Sequence, residues 1–97
     1  MQWLWTWGGE CFGYRHNDDL WTFDGRHVGR FVGSEVYCPN GKYLGELMNQ
    51  DRLITHCGKF SYIQPSFSPY APRGAYARYA GYAIYAGYED FPSPNAF

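Results

Sequence analysis

The chain has no cysteine framework, no basic run, no long apolar span and no signature of a catalytic nucleophile, and each absence removes a class of protein. Its three cysteines, Cys11, Cys38 and Cys57, are odd in number and follow no framework spacing, which argues against a disulfide-stapled domain. The eight Lys and Arg residues are scattered and the formal net charge is −1, so the electrostatic footprint of a duplex-DNA binder is missing. No stretch approaches the length of a membrane helix, and Met1-Gln2-Trp3-Leu4-Trp5-Thr6-Trp7 lacks a basic leader and a small-residue cleavage site. The expectation is a soluble, cytoplasmic protein with reduced thiols, no membrane insertion and no duplex-DNA partner. Gly-x-Ser-x-Gly, the P-loop and His-Glu-x-x-His are all absent. His56-Cys57 has no second ligand pair at zinc spacing, and Asp18-Asp19 suits a turn better than a carboxylate pair. No catalytic residue, metal or cofactor is expected.

What is present is ring surface. Tyr (10), Phe (7) and Trp (4) make up 22% of the 97 residues. One small domain hides so many rings only with difficulty, so a neighbouring subunit or a ligand is expected to cover some of them.

The rings are set in a repeat. Phe23-Asp24-Gly25-Arg26-His27-Val28-Gly29 recurs sixteen residues later as Pro39-Asn40-Gly41-Lys42-Tyr43-Leu44-Gly45 and sixteen earlier as Trp7-Gly8-Gly9-Glu10-Cys11-Phe12-Gly13. The frames are 7–22, 23–38 and 39–54. Asp24-Gly25 and Asn40-Gly41 are type I′ dipeptides, and Gly8-Gly9 fits the same role, so each frame reads as a tight hairpin. Wider turns are expected at His16-Asn17-Asp18, Val32-Gly33-Ser34 and Met48-Asn49-Gln50. Pairing about these turns sets Trp21 opposite Val28, Leu20 opposite Gly29, Tyr37 opposite Leu44 and Val36 opposite Gly45. One face then carries Trp21, Val28, Tyr37 and Leu44, and the other Leu20, Phe31, Val36 and Leu47. A glycine across from a large side chain lets a sheet bend sharply. The fold class that follows is all-β: an antiparallel meander of repeated hairpins, curled into a rosette or barrel within a single domain, 1–97.

Flanking segments have other rhythms. Trp3, Trp5 and Trp7 alternate with Gln2, Leu4 and Thr6, which puts the indoles on one strand face as packing or as a stacking platform. The period fails after Thr55, and 55–73, with Pro65, Pro69 and Pro72, reads as an irregular loop. Tyr76, Tyr79, Tyr82, Tyr85 and Tyr88 recur every third residue, a spacing that would smear rings around a helix. With Gly81 and Gly87, this favours an extended Tyr-rich segment over 74–92.

The best ligand-binding candidates are Trp5, Trp7, Tyr14, Arg15, His27 and Tyr43. Arg15 stands where its repeat siblings are Phe31 and Leu47, and the register places it on the face of His27 and Tyr43. Arg among rings can hold a carboxylate, a phosphate or a ring face.

The runs Phe12-Gly13-Tyr14-Arg15, Leu20 to Gly29, Tyr43-Leu44-Gly45-Glu46, Arg52-Leu53-Ile54-Thr55 and Tyr85-Ala86-Gly87-Tyr88-Glu89-Asp90-Phe91-Pro92 resemble the small bacterial four-fold β-flower proteins. That resemblance covers nearly the whole chain. It implies an all-β, four-fold organisation and brings no activity or catalytic residue with it. Only three frames are legible, so a four-fold single chain would need its fourth unit after Thr55.

The expected function is a non-enzymatic ligand-binding or assembly module with an aromatic-lined cavity or interface. A homo-oligomer, most simply a tetramer, would cover the second apolar face, with a small molecule or polymer as ligand. The alternatives are a small enzyme using Arg15 and His27, or a module stacking single-stranded nucleic acid.

Overall fold

A computed structural model describes residues 1–77 and 89–97. The expected tyrosine ladder falls mostly on residues 78–88, outside the described residues. The ordered elements are strands β1 (Gln2–Thr6), β2 (Cys11–His16), β3 (Asp19–Thr22), β4 (His27–Val32), β5 (Glu35–Tyr37), β6 (Tyr43–Met48), β7 (Arg52–Thr55) and β8 (Glu89–Asp90). Two short 3₁₀ turns lie at Cys57–Lys59 and Pro94–Ala96. Strands β1 to β7 form an antiparallel meander, and a parallel pairing of β1 with β7 closes it into a seven-stranded mixed barrel. Closure removes the strand edges that an open meander leaves exposed. The far end of β7 pairs instead with β8, through Ile54 with Asp90 and Thr55 with Glu89.

The sixteen-residue period survives in three dimensions, but its turns differ from the type I′ expectation. Positive φ occurs at Gly9 (92°), Gly25 (84°) and Gly41 (88°), whereas Gly8, Asp24 and Asn40 keep negative φ. A type I′ turn needs positive φ at both central residues. The observed turn closes one residue earlier, with Gly25 N donating to Thr22 O (3.0 Å) and Gly41 N to Cys38 O (2.8 Å). Phe23-Asp24 and Pro39-Asn40 are the central residues, and the glycine follows as a left-handed bulge. The tight connections are the ones expected to be wide. Asn17-Asp18 and Gly33-Ser34 are two-residue loops between the paired His16/Asp19 and Val32/Glu35, with positive φ at Asn17 (56°) and Gly33 (63°).

The displaced turn has a large consequence. Each bulge slips the register by one residue, so Trp21 pairs with His27 and Tyr37 with Tyr43, not with Val28 and Leu44. The same slip sets Trp5 opposite Cys11. Beyond the bulge the expected pairs hold, Leu20 with Gly29 and Val36 with Gly45. A one-residue slip moves a side chain to the other face of a sheet. Phe12 and Val28 therefore join Leu4, Leu20, Phe31, Val36 and Leu53 in the core, with Leu44 and Leu47 packed against them. Trp21 and Tyr37 stay on the opposite face, so the four-residue face expected from the sequence is split.

Phe91 and Phe97 complete the core by packing edge-on against Phe12, at centroid distances of 5.3 and 5.4 Å. The Arg26 guanidinium holds this segment in place. It donates to Pro94 O (2.9 Å) and to Phe97 O, while its Nε pairs with Asp24 (3.1 Å).

Candidate functional site: the aromatic outer layer and its strap

Cross-strand pairing fixes what faces outward. Tyr14 pairs with Trp21 and Trp21 with His27, so these rings form one row across β2, β3 and β4. Tyr14 and Trp21 stack at 6.3 Å, and Trp21 and His27 at 5.0 Å. The repeat equivalents Tyr37 and Tyr43 meet edge to face at 6.0 Å further round the barrel. Tyr14, Trp21, His27, Tyr37 and Tyr43 are nonetheless buried.

Their cover is the chain itself. Residues 62–76, which span most of the expected irregular loop (55–73) and the start of the expected Tyr-rich extended segment (74–92), run over the outer layer as an extended strap. Tyr70 stacks on His27 (5.0 Å) and Trp21 (6.3 Å), Phe67 tilts against His27 (5.3 Å), and Tyr76 meets both Trp3 (5.6 Å) and Tyr14 (5.4 Å) edge to face. The Arg73 guanidinium lies 3.8 Å from the Trp21 ring centroid, a cation–π geometry. These contacts supply the second layer that the sequence reading assigned to neighbouring subunits.

The strap grips the repeat through backbone. Gln64 N donates to Gly41 O (2.8 Å) and Phe67 N to Pro39 O (2.8 Å). One frame earlier, Arg73 N donates to Gly25 O (2.6 Å) and Tyr76 N to Phe23 O (2.6 Å). The acceptors are sixteen residues apart and the donors nine, so the same two-bond clamp is used twice. A Cβ at Gly41 would strike Gln64 O, and one at Gly25 would strike Arg73 O. Glycine is thus required at these turns by close approach as well as by φ.

His27 is the most constrained polar group. Tyr70 N–H donates to its Nδ1 (2.9 Å), which places the imidazole proton on Nε2. That nitrogen reaches Gly29 O (2.9 Å) and Asp19 Oδ1 (3.0 Å). Burial holds the His27 pKa below its usual value, outweighing the Asp19 carboxylate, which pulls it up.

Tyr43 anchors a separate polar cluster. Its hydroxyl donates to Glu46 Oε1 (2.9 Å) and accepts from His56 N (3.1 Å), and burial pushes its pKa up to about 12. Lys59 Nζ bridges Glu46 (2.8 Å) and Glu35 (3.0 Å), and those hydrogen bonds raise its pKa, Glu46 more than Glu35. Burial alone would raise Glu46, but hydrogen bonds from Lys59 and Tyr43 hold it below the usual carboxylate value.

Of the six residues singled out from sequence, the structure brings Tyr14 and His27 together around Trp21. Tyr43 shares their face, as its repeat column requires, in a different cluster. Arg15 does not join them. It pairs with Leu20 and lies 4.3 Å from the Phe31 ring centroid, at the end of the core face, with its head on Asp18 (2.9 Å). The bulge at each hairpin is the physical reason, because it separates the parity of His27 and Tyr43 from that of Arg15. Trp5 is half-buried at the barrel seam opposite Arg52, and Trp7, buried, sits in the first turn with its N–H on Leu53 O (2.7 Å). The three-indole strand face is therefore limited to Trp3 and Trp5. His56, the other half of the metal-like fragment, accepts from Gly58 N through Nδ1 (3.1 Å).

Sequence reasoning missed Arg30, Phe67, Tyr70 and Arg73. The available signal was the aromatic content of a segment that otherwise reads as loop.

No helix among the described residues is long and apolar enough to cross a membrane. Comparison with protein-family models, curated proteins and solved structures finds no significant match.

Proposed function

We propose that the protein is a non-catalytic binding and assembly module whose repeated turns grip extended, aromatic-bearing backbone. In the isolated chain the gripped segment is its own strap, and in a homo-oligomer, of which a tetramer is the simplest, it is the same segment of a neighbour. The observation that carries this reading is the repeated clamp, in which Gly41 and Pro39 accept from Gln64 and Phe67 just as Gly25 and Phe23 accept from Arg73 and Tyr76. Backbone-directed pairing of this kind gives affinity, while ring pockets beside it give selectivity. The geometry of His27 is in keeping with a structural role, since both ring nitrogens are engaged and its side chain is fully buried. The likeness to the four-fold β-flower proteins belongs to the same proposal, as an organisation built from such units.

The test uses the full chain carrying Phe67→Ala and Tyr76→Ala, which weakens the strap without touching the clamp carbonyls. A synthetic peptide of residues 60–77 with the native sequence should raise its melting temperature in a saturable way, and a Gly41→Val background should abolish the effect. Light scattering should give a mass that is a multiple of 11.2 kDa. A peptide without effect, together with a mass of 11.2 kDa at every concentration, would overturn the reading.

A further inference from the structure

Where the strap crosses β4 and β5 it leaves a half-open pocket of about 190 Å³, lined by Arg30, Val32, Tyr37, Gln64, Pro65, Ser66 and Phe67. Its walls are mainly apolar, from Val32, Pro65 and the rings of Tyr37 and Phe67. Besides Gln64 and Ser66, the polar part of the lining is Arg30, whose guanidinium stands over the Phe67 ring, 4.3 Å from its centroid. Stacking orients an Arg head without consuming its N–H donors.

Among the described residues those donors make no hydrogen bond, and Asp19 forms only a long ion pair with Arg30. The nearest carboxylate, Asp19 Oδ1, stands 3.7 Å from Arg30 Nε, beyond hydrogen-bond reach, and the same oxygen lies 3.0 Å from His27 Nε2. The Arg30 side chain is 41% exposed, so a ligand reaches it without unfolding anything. A pre-oriented fork of donors at the mouth of an apolar pocket matches a planar carboxylate on an apolar body.

The surrounding charges narrow the choice further. Asp19 flanks Arg30, and Tyr37 OH donates to Glu35 Oε1 (3.0 Å), whose other oxygen is neutralised by Lys59 (3.0 Å). With one cation facing the pocket and an acidic neighbour beside it, a monoanion is favoured over a phosphate dianion. The volume is smaller than that of drug-sized ligand sites, which restricts the occupant to a small molecule such as a single ring bearing a short acid.

We propose that this pocket binds small aryl or alkyl monocarboxylates, with the carboxylate on Arg30 and the apolar body against Tyr37 and Phe67. The site shares Gln64 and Phe67 with one strap clamp, whereas Arg30 takes no part in either clamp. It ties the strap to β4, so an occupied pocket holds the strap down.

Isothermal titration and chemical-shift mapping with phenylacetate, phenylacetamide and inorganic phosphate test the assignment. Phenylacetate should bind, with shifts centred on Arg30, Ser66 and Phe67. The uncharged amide and phosphate should each bind at least tenfold more weakly. Arg30→Gln should lose at least tenfold for phenylacetate while keeping the native spectrum elsewhere, and Arg30→Lys should recover only part of the loss. The proposal is overturned if phenylacetate fails to bind, if phosphate binds as well as phenylacetate, or if Arg30→Gln binds phenylacetate unchanged.

Discussion

Leu20 and Trp21 are neighbours in β3 and are almost completely buried, at 0% and 1% exposure, yet their surroundings differ in kind. Leu20 points into a core of Leu, Val and Phe that the barrel closes on itself. Trp21 points outward, under Tyr70 and Arg73 of a strap held by a few backbone bonds. Core side chains can leave water only together, whereas the strap can lift without opening the barrel. The inner face is where stability resides, and the outer face is where binding is cheapest to evolve. Changes on the two faces should therefore differ in both size and kind.

The largest separation is expected from truncation. Leu20→Ala leaves a cavity in a closed core and should cost about 2–5 kcal/mol. Phe67→Ala removes a half-buried ring from the strap and should cost about 1 kcal/mol, because only part of that ring leaves water in the native state. Urea denaturation compares them directly. Equal costs would mean that strap and barrel unfold as one unit, and the contrast between the faces would disappear.

Next come the turn glycines, which serve both faces. Gly41→Val combines positive φ with a Cβ driven into Gln64 O, so it should cost roughly 2 kcal/mol or more and release the strap. Gly33 also has positive φ (63°) but open space around its Cβ position, so Gly33→Ala should cost roughly 1 kcal/mol from backbone strain alone. Amide exchange read alongside melting temperature checks this. Fast exchange at Gln64 and Phe67 should appear in Gly41→Val and be absent in Gly33→Ala.

These glycines also mark how far sequence reasoning reached. The period, the hairpins, positive φ at Gly25 and Gly41, and the all-β barrel were all legible, because a repeat with Gly at fixed positions has few physical readings. The faces were not. Asp24-Gly25 fits a type I′ turn and a turn-plus-bulge equally well by local chemistry, and the two differ by one residue of register. The discriminating signal was global: only the bulged register gathers Leu20, Val28, Phe31 and Val36 on one side and leaves the rings of Trp21, His27, Tyr37 and Tyr43 on the other. The strap was illegible for another reason. Its clamp is made by backbone atoms, so the nine-residue step from Gln64 to Arg73 leaves little trace in side-chain types. Arg15 was misplaced by the same register slip that moved Val28 and Leu44.

A smaller effect separates the faces by pH. The folded-state pKa of His27 lies below the ordinary 6.5, because burial and the Tyr70 N–H favour the neutral ring. In the unfolded chain the imidazole takes up its proton first as pH falls. The stabilisation is thus complete above about 6.5 and is lost as pH drops toward the folded value, by at most about 1.4 kcal/mol per pH unit. Asp19 and Arg30 are the charged groups facing the ring, and Asp19 softens the loss. Protonation breaks the Tyr70 bond, so strap amides should exchange faster at low pH before the barrel amides do. His27→Phe should flatten this dependence; an unchanged pH profile in that variant would assign it to another group.

The smallest change is expected at Tyr14, and it is the sharpest probe of the outer face. Tyr14 is fully buried, yet its hydroxyl has no hydrogen-bond partner among the described residues, and the same holds for Trp21 Nε1 beside it. A buried donor left unpaired forfeits its hydration without compensation, at a cost of about 1–3 kcal/mol. Removing the hydroxyl while keeping the ring should therefore be neutral or mildly stabilising, whereas removing a bonded hydroxyl destabilises. Tyr14→Phe preserves the 6.3 Å stack on Trp21 and the edge contact with Tyr76, so ring packing is held constant. The expected change in unfolding free energy lies between zero and a gain of about 1 kcal/mol. A loss greater than about 1 kcal/mol would show that the hydroxyl is satisfied in solution. The aromatic layer would then be sealed as completely as the core, and the strap would have no energetic reason to exchange.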